Sequence, residues 1–498
     1  MRRFFLSRRL LNTISQFQTA LNIEQIEHKN PSPQRSIITT AFMARKLLKN
    51  KKITTFAALV REKVVMHHIE IWALAPFVLM LLSIAVMPLL AEKWWENNNH
   101  KLWVAITLAI PSSIYLICNG MGDKLAHQML LDYLPFIILL GALFVVTGGI
   151  EILGNIVARP RNNVIILAIG YLLASLIGTT GAAMLLIHFI LRVNKNREYK
   201  QHTVLFFIAL VANCGGILSP LGDPPLFLLY LRGAEFTWFL NMLPEWAMIG
   251  AILLTIYFFL DRYIFYKKEP TVAIMAEVRE QIRIEFKGKF NIILLVGIIL
   301  SVLFITPAHI PAMASENAPI YVKYLREIAL LAIAATSLLT TSKKVREENH
   351  FEWAPIIEVA YIFIGIFATM TPALIFLSHN AAKLGISEPW QFYYCSGALS
   401  AFLDNSPTAV AFHTVAQALP TAEGATTVAG VNELLLKAIA MGAVFFGAMT
   451  YIGNGPNFMV KAIAEQEGVK MPDFFGYMIK FSLVVLLPIY IIVQLIFL

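Results

Sequence analysis

Long apolar segments separated by short polar stretches occupy most of this chain from residue 72 onwards. Ten of them approach or exceed the length that a helix needs to cross the hydrocarbon core of a bilayer. They fall at about 72–90, 102–118, 134–157, 204–230, 246–260, 290–306, 325–341, 354–378, 434–463 and 474–497. This pattern predicts a polytopic membrane protein.

Two further apolar stretches, 163–191 and 391–415, are interrupted by small and polar residues. The interruptions read IGTTGAA at 177–183 and LDNSPTA at 403–409. Non-helical backbone survives at membrane depth only when it is buried in protein or lines water. Each stretch is therefore predicted to form a re-entrant helical hairpin with a polar tip.

The apolar segment after each predicted hairpin is interrupted as well, by GGILSPLGDPP at 215–225 and by GAMTYIGNGP at 447–456. We name these segments the first break and the second break. Glycine and proline at this density interrupt a helix. The residues expected to do so are Gly222, Pro224, Pro225, Gly453, Gly455 and Pro456.

The two breaks are related in sequence. An offset of 231 residues aligns Gly216, Ser219, Gly222, Asp223, Pro225 and Phe227 with Gly447, Thr450, Gly453, Asn454, Pro456 and Phe458. The hairpins align less well, at an offset of 226. We therefore predict an all-α polytopic membrane protein with about ten spanning helices in two inverted repeats, each with a re-entrant hairpin and an interrupted helix. Paired interruptions of this kind mark the binding site of a secondary transporter.

Composition and charge support the same class. Hydrophobic residues make up 58% of the chain and charged residues 14%, whereas soluble domains carry about 25% charged residues. The net charge of +9 comes from residues 1–65, which hold 13 Lys or Arg and three Glu. The remainder is close to neutral, so we expect a lipid bilayer and no nucleic acid as partner. The three cysteines show neither disulfide nor metal-ligand spacing.

Four regions follow from these patterns: a basic N-terminal extension at 1–65, a first transmembrane repeat at 66–260, a basic cytoplasmic linker at 261–289 and a second transmembrane repeat at 290–498. The extension resembles an organellar transit peptide and is also suited to lie on an anionic membrane surface. We favour the alternative that translation starts at Met66, since residues 1–65 hold no signal-peptide core of about 7–15 apolar residues. Counting spans back from the first hairpin places the extension outside, which contradicts the positive-inside rule that assigns the linker to the cytoplasm.

The tips and breaks offer oxygen ligands to Na⁺, a hard cation. The candidate ion- and proton-binding residues are Asp404, Asp223, Asn405, Ser406, Thr408, Thr179, Thr180, Asn213, Ser219, Thr450, Asn454 and Asn457. No cofactor is expected besides Na⁺ as transported or coupling ion. The chain has no GxxxxGK[ST] loop, HEXXH, paired CxxC or GxSxG motif, so a secondary transporter is predicted rather than an enzyme or an ATP-driven pump.

Asp404 and Asp223 are the leading candidates, because a carboxylate at bilayer depth usually marks an ion or proton path. Burial favours the protonated form and a bound cation favours the ionised form, so one carboxylate would hold Na⁺ and H⁺ in turn. The structural alternatives are an N-cap for Asp404 and a turn for Asp223. Glu358 and Glu151, inside apolar stretches, are candidates for proton relay or for a structural pairing.

The segments IGTTGAAMLLIHFILR, ANCGGILSPLGDPPLF, LDNSPTAVAF and YIGNGPNF together resemble the ion transporter superfamily. Within it they are most similar to bacterial sodium/proton antiporters of the NhaD type and to related citrate transporters. The resemblance runs over about 66–498. It implies a scaffold domain and a transport domain in each protomer, a homodimer, and a place in the bacterial inner membrane. It also implies two ion sites, Thr179–Thr180 with the break Asn213–Pro225 and Asp404–Thr408 with the break Thr450–Asn457.

Carboxylate-transporting members of the superfamily typically carry a Ser-Asn-Thr type triplet at both tips, and this chain does not. No Arg or Lys lies within a tip or a break. We therefore predict a sodium or lithium/proton antiporter that works by alternating access, with Asp404 as the main site. The alternative is a sodium-coupled symporter of citrate or another organic anion, bound by half-helix N-termini. A third possibility is an anion or arsenite permease that depends on a separate ATPase.

Overall fold

The computed structural model describes residues 69–270, 282–315, 317–349, 351–421 and 424–498, so the predicted extension at 1–65 lies outside it. Within the described residues, eight helical segments are long and apolar enough to cross a membrane. These are Ile71–Pro88, Asn98–Cys118, Gly122–Thr147, Pro160–Ile177, Gln201–Leu218, Phe236–Lys268, Ala354–Leu384 and Phe474–Phe497. They confirm the predicted all-α polytopic membrane fold.

Among the described residues, the first half contains ten helices. They are α1 (Ala75–Leu90), α2 (Glu92–Trp95), α3 (Asn98–Cys118), α4 (Gly122–His127), α5 (Leu134–Thr147), α6 (Pro160–Ile177), α7 (Thr179–Val193), α8 (Gln201–Leu210), α9 (Pro224–Leu231) and α10 (Leu243–Leu260). A π-helical segment, Gln128–Tyr133, joins α4 to α5. Further one- or two-turn 3₁₀ or π segments are Ile71–Leu74, Cys214–Leu218, Phe236–Met242, Asp261–Phe265 and Tyr266–Lys268.

The second half begins after the linker. Its helices are α11 (Phe290–Phe304), α12 (Ile320–Lys323), α13 (Leu325–Thr340), α14 (Lys343–Glu348), α15 (Ala354–Asn380), α16 (Pro389–Phe402), α17 (Asn405–Gln417), α18 (Glu433–Phe446), α19 (Gly455–Gln466), α20 (Phe474–Tyr477) and α21 (Leu487–Phe497). Short 3₁₀ segments are Pro311–Ala314, Ala381–Leu384 and Gly447–Met449, and the π segment Met478–Leu486 joins α20 to α21. Several helices of both halves begin with a proline in their first turn, where its missing N–H costs no hydrogen bond.

The helices pack as two groups. The scaffold group comprises α1, α3, α5, α11, α13 and α15, whose closest packing is between α3 and α15 and between α5 and α13. The hairpin group comprises α6–α10 and α16–α21, in which α9 packs on α17 and α7 packs on α19. The packing of α9 on α17 and of α7 on α19 brings the two halves of the chain together in the hairpin group.

Two helical hairpins and two breaks are present where the sequence predicted them, and the re-entrant course of the hairpins stays a prediction. Helices α6 and α7 pack against each other and meet at Gly178, whose φ of +84° is accessible to glycine without strain. Helices α16 and α17 meet at 403–404. The first break separates α8 from α9, and the second separates α18 from α19.

The aligned residues of the two halves make the same hydrogen bonds. Ser219 Oγ donates to the carbonyl oxygen of Ser175, and Thr450 Oγ1 donates to the carbonyl oxygen of Ala401 at 2.5 Å. Each acceptor lies near the end of the first helix of its hairpin, so each hydroxyl ties a break to its own hairpin. The predicted sequence repeat therefore has a counterpart in three dimensions.

The backbone of the two breaks is also alike. Asp223 has φ −145° and ψ 143°, and the aligned Asn454 has φ −146° and ψ 140°. A Cβ atom on Gly222 would lie 1.8 Å from a carbonyl oxygen of its own break, and one on Gly453 would lie 2.5 Å from the aligned oxygen. Both distances are below van der Waals contact, so both positions require glycine.

The structure differs from the predicted spans in several places. Eight described helices are long and apolar enough to cross a membrane, against about ten predicted, and Pro160–Ile177 of the first predicted hairpin is one of them, whereas Phe290–Phe304 is shorter. The helix predicted over 134–157 ends at Thr147, because two glycines follow and β1 (Glu151–Asn155) then pairs antiparallel with β2 (Ile282–Lys287). Strand β2 lies within the predicted linker. The span predicted at 325–341 is a helix of 16 residues, about 24 Å long by its rise per residue, which is short for a crossing. A second ribbon pairs β3 (Thr427–Val428) with β4 (Val431–Asn432).

Candidate functional site

Both hairpin tips and the second break contact the first break at Asp223, which is 1% exposed. Thr179 Oγ1 and Asn454 Nδ2 donate to Asp223 Oδ1 at 2.7 and 3.1 Å. Asn405 Nδ2 donates to Asp223 Oδ2. All three donors are neutral, and the ion pairs of the described residues do not involve Asp223. A proton or a metal cation would supply the positive charge that this carboxylate lacks.

Asparagine side chains connect the two breaks. Asn213 Nδ2 donates to Asn457 Oδ1 at 2.7 Å. Asn457 Nδ2 donates to two carbonyl oxygens of the second break at 2.8 and 2.9 Å, and Asn454 Nδ2 donates to the carbonyl oxygen of Ala212 at 3.0 Å. These bonds pair backbone groups that the interrupted helices leave without an intrahelical partner.

Three fully buried side-chain oxygens at this centre have no hydrogen-bond partner within the described part of the chain. They are Asn213 Oδ1, Asn405 Oδ1 and Ser406 Oγ. Neutral amide and hydroxyl oxygens are ligands that a hard cation accepts. The described residues contain no group of three or more His, Cys, Asp and Glu that could hold a metal ion, so a Na⁺ site here would rest mainly on neutral oxygens.

Asp404 is the N-cap of α17. Its Oδ1 accepts from the backbone N–H of Ser406 at 2.9 Å, and Thr408 Oγ1 donates to its carbonyl oxygen at 3.1 Å. The structural role that the sequence suggested for Asp404 is therefore present. The same residue also borders the cavity described next, a position that capping alone does not require.

A cavity of about 380 Å³ lies against the tips and breaks. Four helices of the hairpin group begin at its wall, namely α7, α9, α17 and α19. Helix N-termini present the positive end of the helix dipole. Prolines in the first turns of α9 and α19 carry no N–H, and the N–H groups of Thr179, Leu226 and Ser406 are already paired. Of the predicted site residues and break residues, those on the wall are Thr179, Thr180, Asp404, Asn454, Glu358, Gly222, Pro224, Gly455 and Pro456. The others do not line this cavity; Asp223, Asn405 and Ser406 contact or adjoin wall residues.

Lys101, which the sequence analysis did not select, also lines the cavity. Its ammonium lies 2.7 Å from Glu358 Oε1, and its side chain is 4% exposed. Glu358 thus has the structural pairing that was the alternative to proton relay. Lys101 stands at the start of a predicted span, where a lysine normally marks the membrane boundary, and its partner is far away in sequence. Only the packing of α3 on α15 brings the two together.

Glu151 is separate from this centre. It lies on β1 instead of on a spanning helix, and it is absent from the cavity wall. Burial raises the pKa of its carboxyl group, and a hydrogen bond with Glu348 raises this pKa further. The structure thus gives Glu151 a neighbour in the second half of the chain, outside the membrane-spanning helices.

One family model matches residues 66–498, and its description is "Putative citrate transport". The chain belongs to this family, which is part of the ion transporter superfamily. No curated protein matches the chain. Together with the eight apolar helices, family membership indicates an integral membrane transporter. The predicted similarity to NhaD-type antiporters stays a prediction.

Proposed function

Starting from membership of this family, we propose that the chain is a cation-coupled secondary transporter of small carboxylates such as citrate, with Na⁺ or H⁺ as the coupling ion. The proposal broadens the sodium-coupled symporter that stood second on sequence grounds, where the tips lack the Ser-Asn-Thr type triplet and no Arg or Lys lies in a tip or a break. The observation that carries it is Lys101, which reaches the cavity from α3. A carboxylate there would meet the ammonium group of Lys101, which is paired with Glu358, and the positive dipole ends of four helices.

Coupling follows from the charge of the cavity wall. Three acidic residues, Glu96, Glu358 and Asp404, face the single basic residue Lys101. An anionic substrate would be repelled from this wall until protons or Na⁺ neutralise part of it. Cation binding would therefore precede carboxylate binding, which is the thermodynamic basis of symport.

The coupling cation has ligands beside Asp223. Asn405 Oδ1 and Ser406 Oγ, both without partners among the described residues, belong to the second tip that also contacts this carboxylate. Asp404 on the cavity wall would exchange its proton or cation with water. Transport would move the hairpin group past the scaffold group, and the homodimer and bacterial inner membrane implied by the resemblance belong to the same proposal.

The second candidate is exchange of Na⁺ or Li⁺ for protons without an anion. The excess of acidic over basic residues on the cavity wall favours it, because that wall attracts a bare cation. In this version Asp404 is the main exchange site, and Lys101 only neutralises Glu358.

The two candidates are separated by purified protein in proteoliposomes. For symport, we expect radiolabelled citrate to accumulate only under an inward Na⁺ or proton gradient. We expect Na⁺ alone to leave an imposed pH gradient intact. Discharge of that gradient by Na⁺ or Li⁺ without citrate, together with no citrate uptake, would establish the second candidate and reject the first.

Lys101→Met tests the carboxylate contact. Loss of one charge-assisted contact should raise the apparent KM for citrate about tenfold or more, while the maximal rate changes less. An unchanged KM would remove Lys101 from the site. Arg161→Gln, an exposed residue of α6 that does not line the cavity, is the matched control.

A further inference from the structure

Helix α9 joins the Asp223 site to the scaffold group. Asp223 is the residue directly before its first turn, and Tyr230 and Arg232 lie at its other end. The helix has eight residues, so its two ends are about 12 Å apart. Any shift of one end is transmitted to the other, because so short a helix moves as a rigid body.

The far end of α9 is bound to two helices of the scaffold group, α11 and α13, and to the π segment before α5. Arg232 pairs with Asp132 of the π segment before α5, with Nη2 and Oδ2 3.4 Å apart. Tyr230 Oη donates to the carbonyl oxygen of Val302 in α11 at 2.8 Å. Arg326 of α13 donates to Tyr230 Oη at 3.3 Å and lies over its ring. We name these five residues the far-end cluster.

The aligned end of α19 lacks this attachment. At the offset of 231, Lys461 takes the place of Tyr230 and Ile463 that of Arg232. Lys461 pairs with Glu465 of its own helix at 2.7 Å and lies over the rings of Tyr451 and Phe458, also within the second half. Thus one of the two related half-helices is tied to the scaffold group, while the other packs within the hairpin group.

The two half-helices also differ in how much of the cavity wall each one forms. Phe458 and Met459 in the first turns of α19 line the cavity, whereas α9 contributes only its first residue, Pro224. Glu96, just before α3, and Pro355, in the first turn of α15, line the cavity, so we infer that its mouth lies where these two helices begin. The cavity is therefore lined along α19, and the far-end cluster joins the hairpin and scaffold groups at the end of α9 that does not line the cavity.

We propose that the far-end cluster is a latch that holds the transporter open at the cavity mouth and closed on the far side, with Tyr230 and Arg232 as positioning residues that act on Asp223 through α9. The inference rests on the alternating access of the proposed function. Opening to the far side requires the Arg232–Asp132 pair and the Tyr230 hydrogen bonds to break. Cation binding at Asp223 biases that step because it acts on the same rigid helix.

The test is the accessibility of a cysteine in the cavity. Met459→Cys is introduced after replacement of Cys118, Cys214 and Cys395, and a membrane-impermeant maleimide is added to sealed vesicles from one side at a time. With the latch intact, we expect labelling from the mouth side. In Arg232→Gln and in Asp132→Asn, we expect mouth-side labelling to slow and far-side labelling to accelerate, each by about threefold to tenfold.

Tyr230→Phe is the milder variant. It keeps the ring beneath Arg326 and removes only the hydroxyl, so it should shift labelling in the same direction by a smaller factor. Arg161→Gln, outside the far-end cluster, should leave both rates unchanged. Unchanged labelling in folded Arg232→Gln, Asp132→Asn and Tyr230→Phe would overturn the latch, and so would an equal change on both sides.

The labelling needs no substrate, so its outcome is independent of the cargo. If citrate uptake fails while the labelling shifts from one side to the other, the proposed cargo is wrong and the latch stands. If citrate is transported while the variants label like the parent protein, the latch is wrong and the proposed function stands.

Discussion

The two halves of this protein share a backbone arrangement and differ in where they carry charge. In the first half the break holds the carboxylate, Asp223, and the aligned residue of the second break is Asn454. In the second half the tip holds it, Asp404, and the aligned residue of the first tip is Gly178. Each half thus carries one carboxylate within its tip and break, at positions that the repeat does not relate.

This difference separates two requirements of a transporter. The repeated part consists of glycines, hydroxyl–carbonyl bonds and helix starts, and it builds two interrupted helices that bring four N-termini to one cavity. The unrepeated part sets the charge of the site and the attachment of α9 to the scaffold group. We infer that symmetry provides the geometry of alternating access, and that departures from symmetry provide ion selectivity and the preferred state.

The largest effect should come from breaking the shared backbone at its tightest point. Gly222→Ala places a Cβ 1.8 Å from a backbone carbonyl oxygen of the same break, and a rigid backbone cannot yield that far. We expect loss of the folded monodisperse protein, measured by size-exclusion chromatography in detergent. In Gly453→Ala the added Cβ lies 2.5 Å from the nearest backbone oxygen, so the yield of folded protein should fall less. In Gly455→Ala no atom lies within 4 Å of the added Cβ, so this variant should fold normally. Equal yields of all three variants would contradict the close approach.

The next largest effect should come from giving both breaks asparagine at the aligned positions 223 and 454. Asp223→Asn gives the first break the residue of the second and turns two acceptor oxygens into one oxygen and one donor amide. We expect coupled transport to fall by about 100-fold, since hydrogen bonds to a charged group are worth about 1.5–3 kcal/mol each. The rate of uptake into proteoliposomes that contain the variant measures this loss of coupled transport.

The reciprocal exchange sharpens this result. In Asp223→Asn/Asn454→Asp one carboxylate is kept and moved to the aligned position, close to the original because the two side chains touch at 3.1 Å. Partial recovery of transport relative to the single variant is expected if coupling requires a carboxylate at the contact between the two breaks, on either side of it. No recovery would mean that the three donors around Asp223 recognise that position alone.

Two substitutions of Asp404 distinguish its role as an N-cap from its proposed role in ion binding. Asparagine is as good an N-cap as aspartate, so Asp404→Asn should keep the stability of the protein and lose coupled transport. Asp404→Ala should lose transport and also about 1 kcal/mol of stability. Thermal unfolding and proteoliposome transport are measured on both variants. Transport by the Asn variant at the parental rate would leave Asp404 with a structural role only.

The sequence predicted much of the shared backbone and less of the differences between the halves. Glycine, proline and small polar residues inside apolar runs are local signals, so the tips, the breaks and their repeat could be predicted. Lys101 could not, because its place in the cavity depends on the packing of α3 against α15. The strand at Glu151 was also missed, since its apolar residues extend a spanning run and its partner strand lies in the linker.

The smallest effect is expected from removing the hydroxyl that ties each break to its hairpin. It tests whether this attachment is equally strong in the two halves. Ser219→Ala and Thr450→Val each remove the hydroxyl that ties a break to its hairpin, at an expected cost of about 1 kcal/mol. Thr450 Oγ1 additionally accepts from two backbone N–H groups, at 3.1 and 3.2 Å, whereas Ser219 Oγ accepts from one, at 3.1 Å. Thr450→Val should therefore lower the unfolding temperature more than Ser219→Ala, because it leaves one more buried donor unpaired. The reverse order would show that the second break, which borders the open cavity, holds its backbone by other contacts than the first.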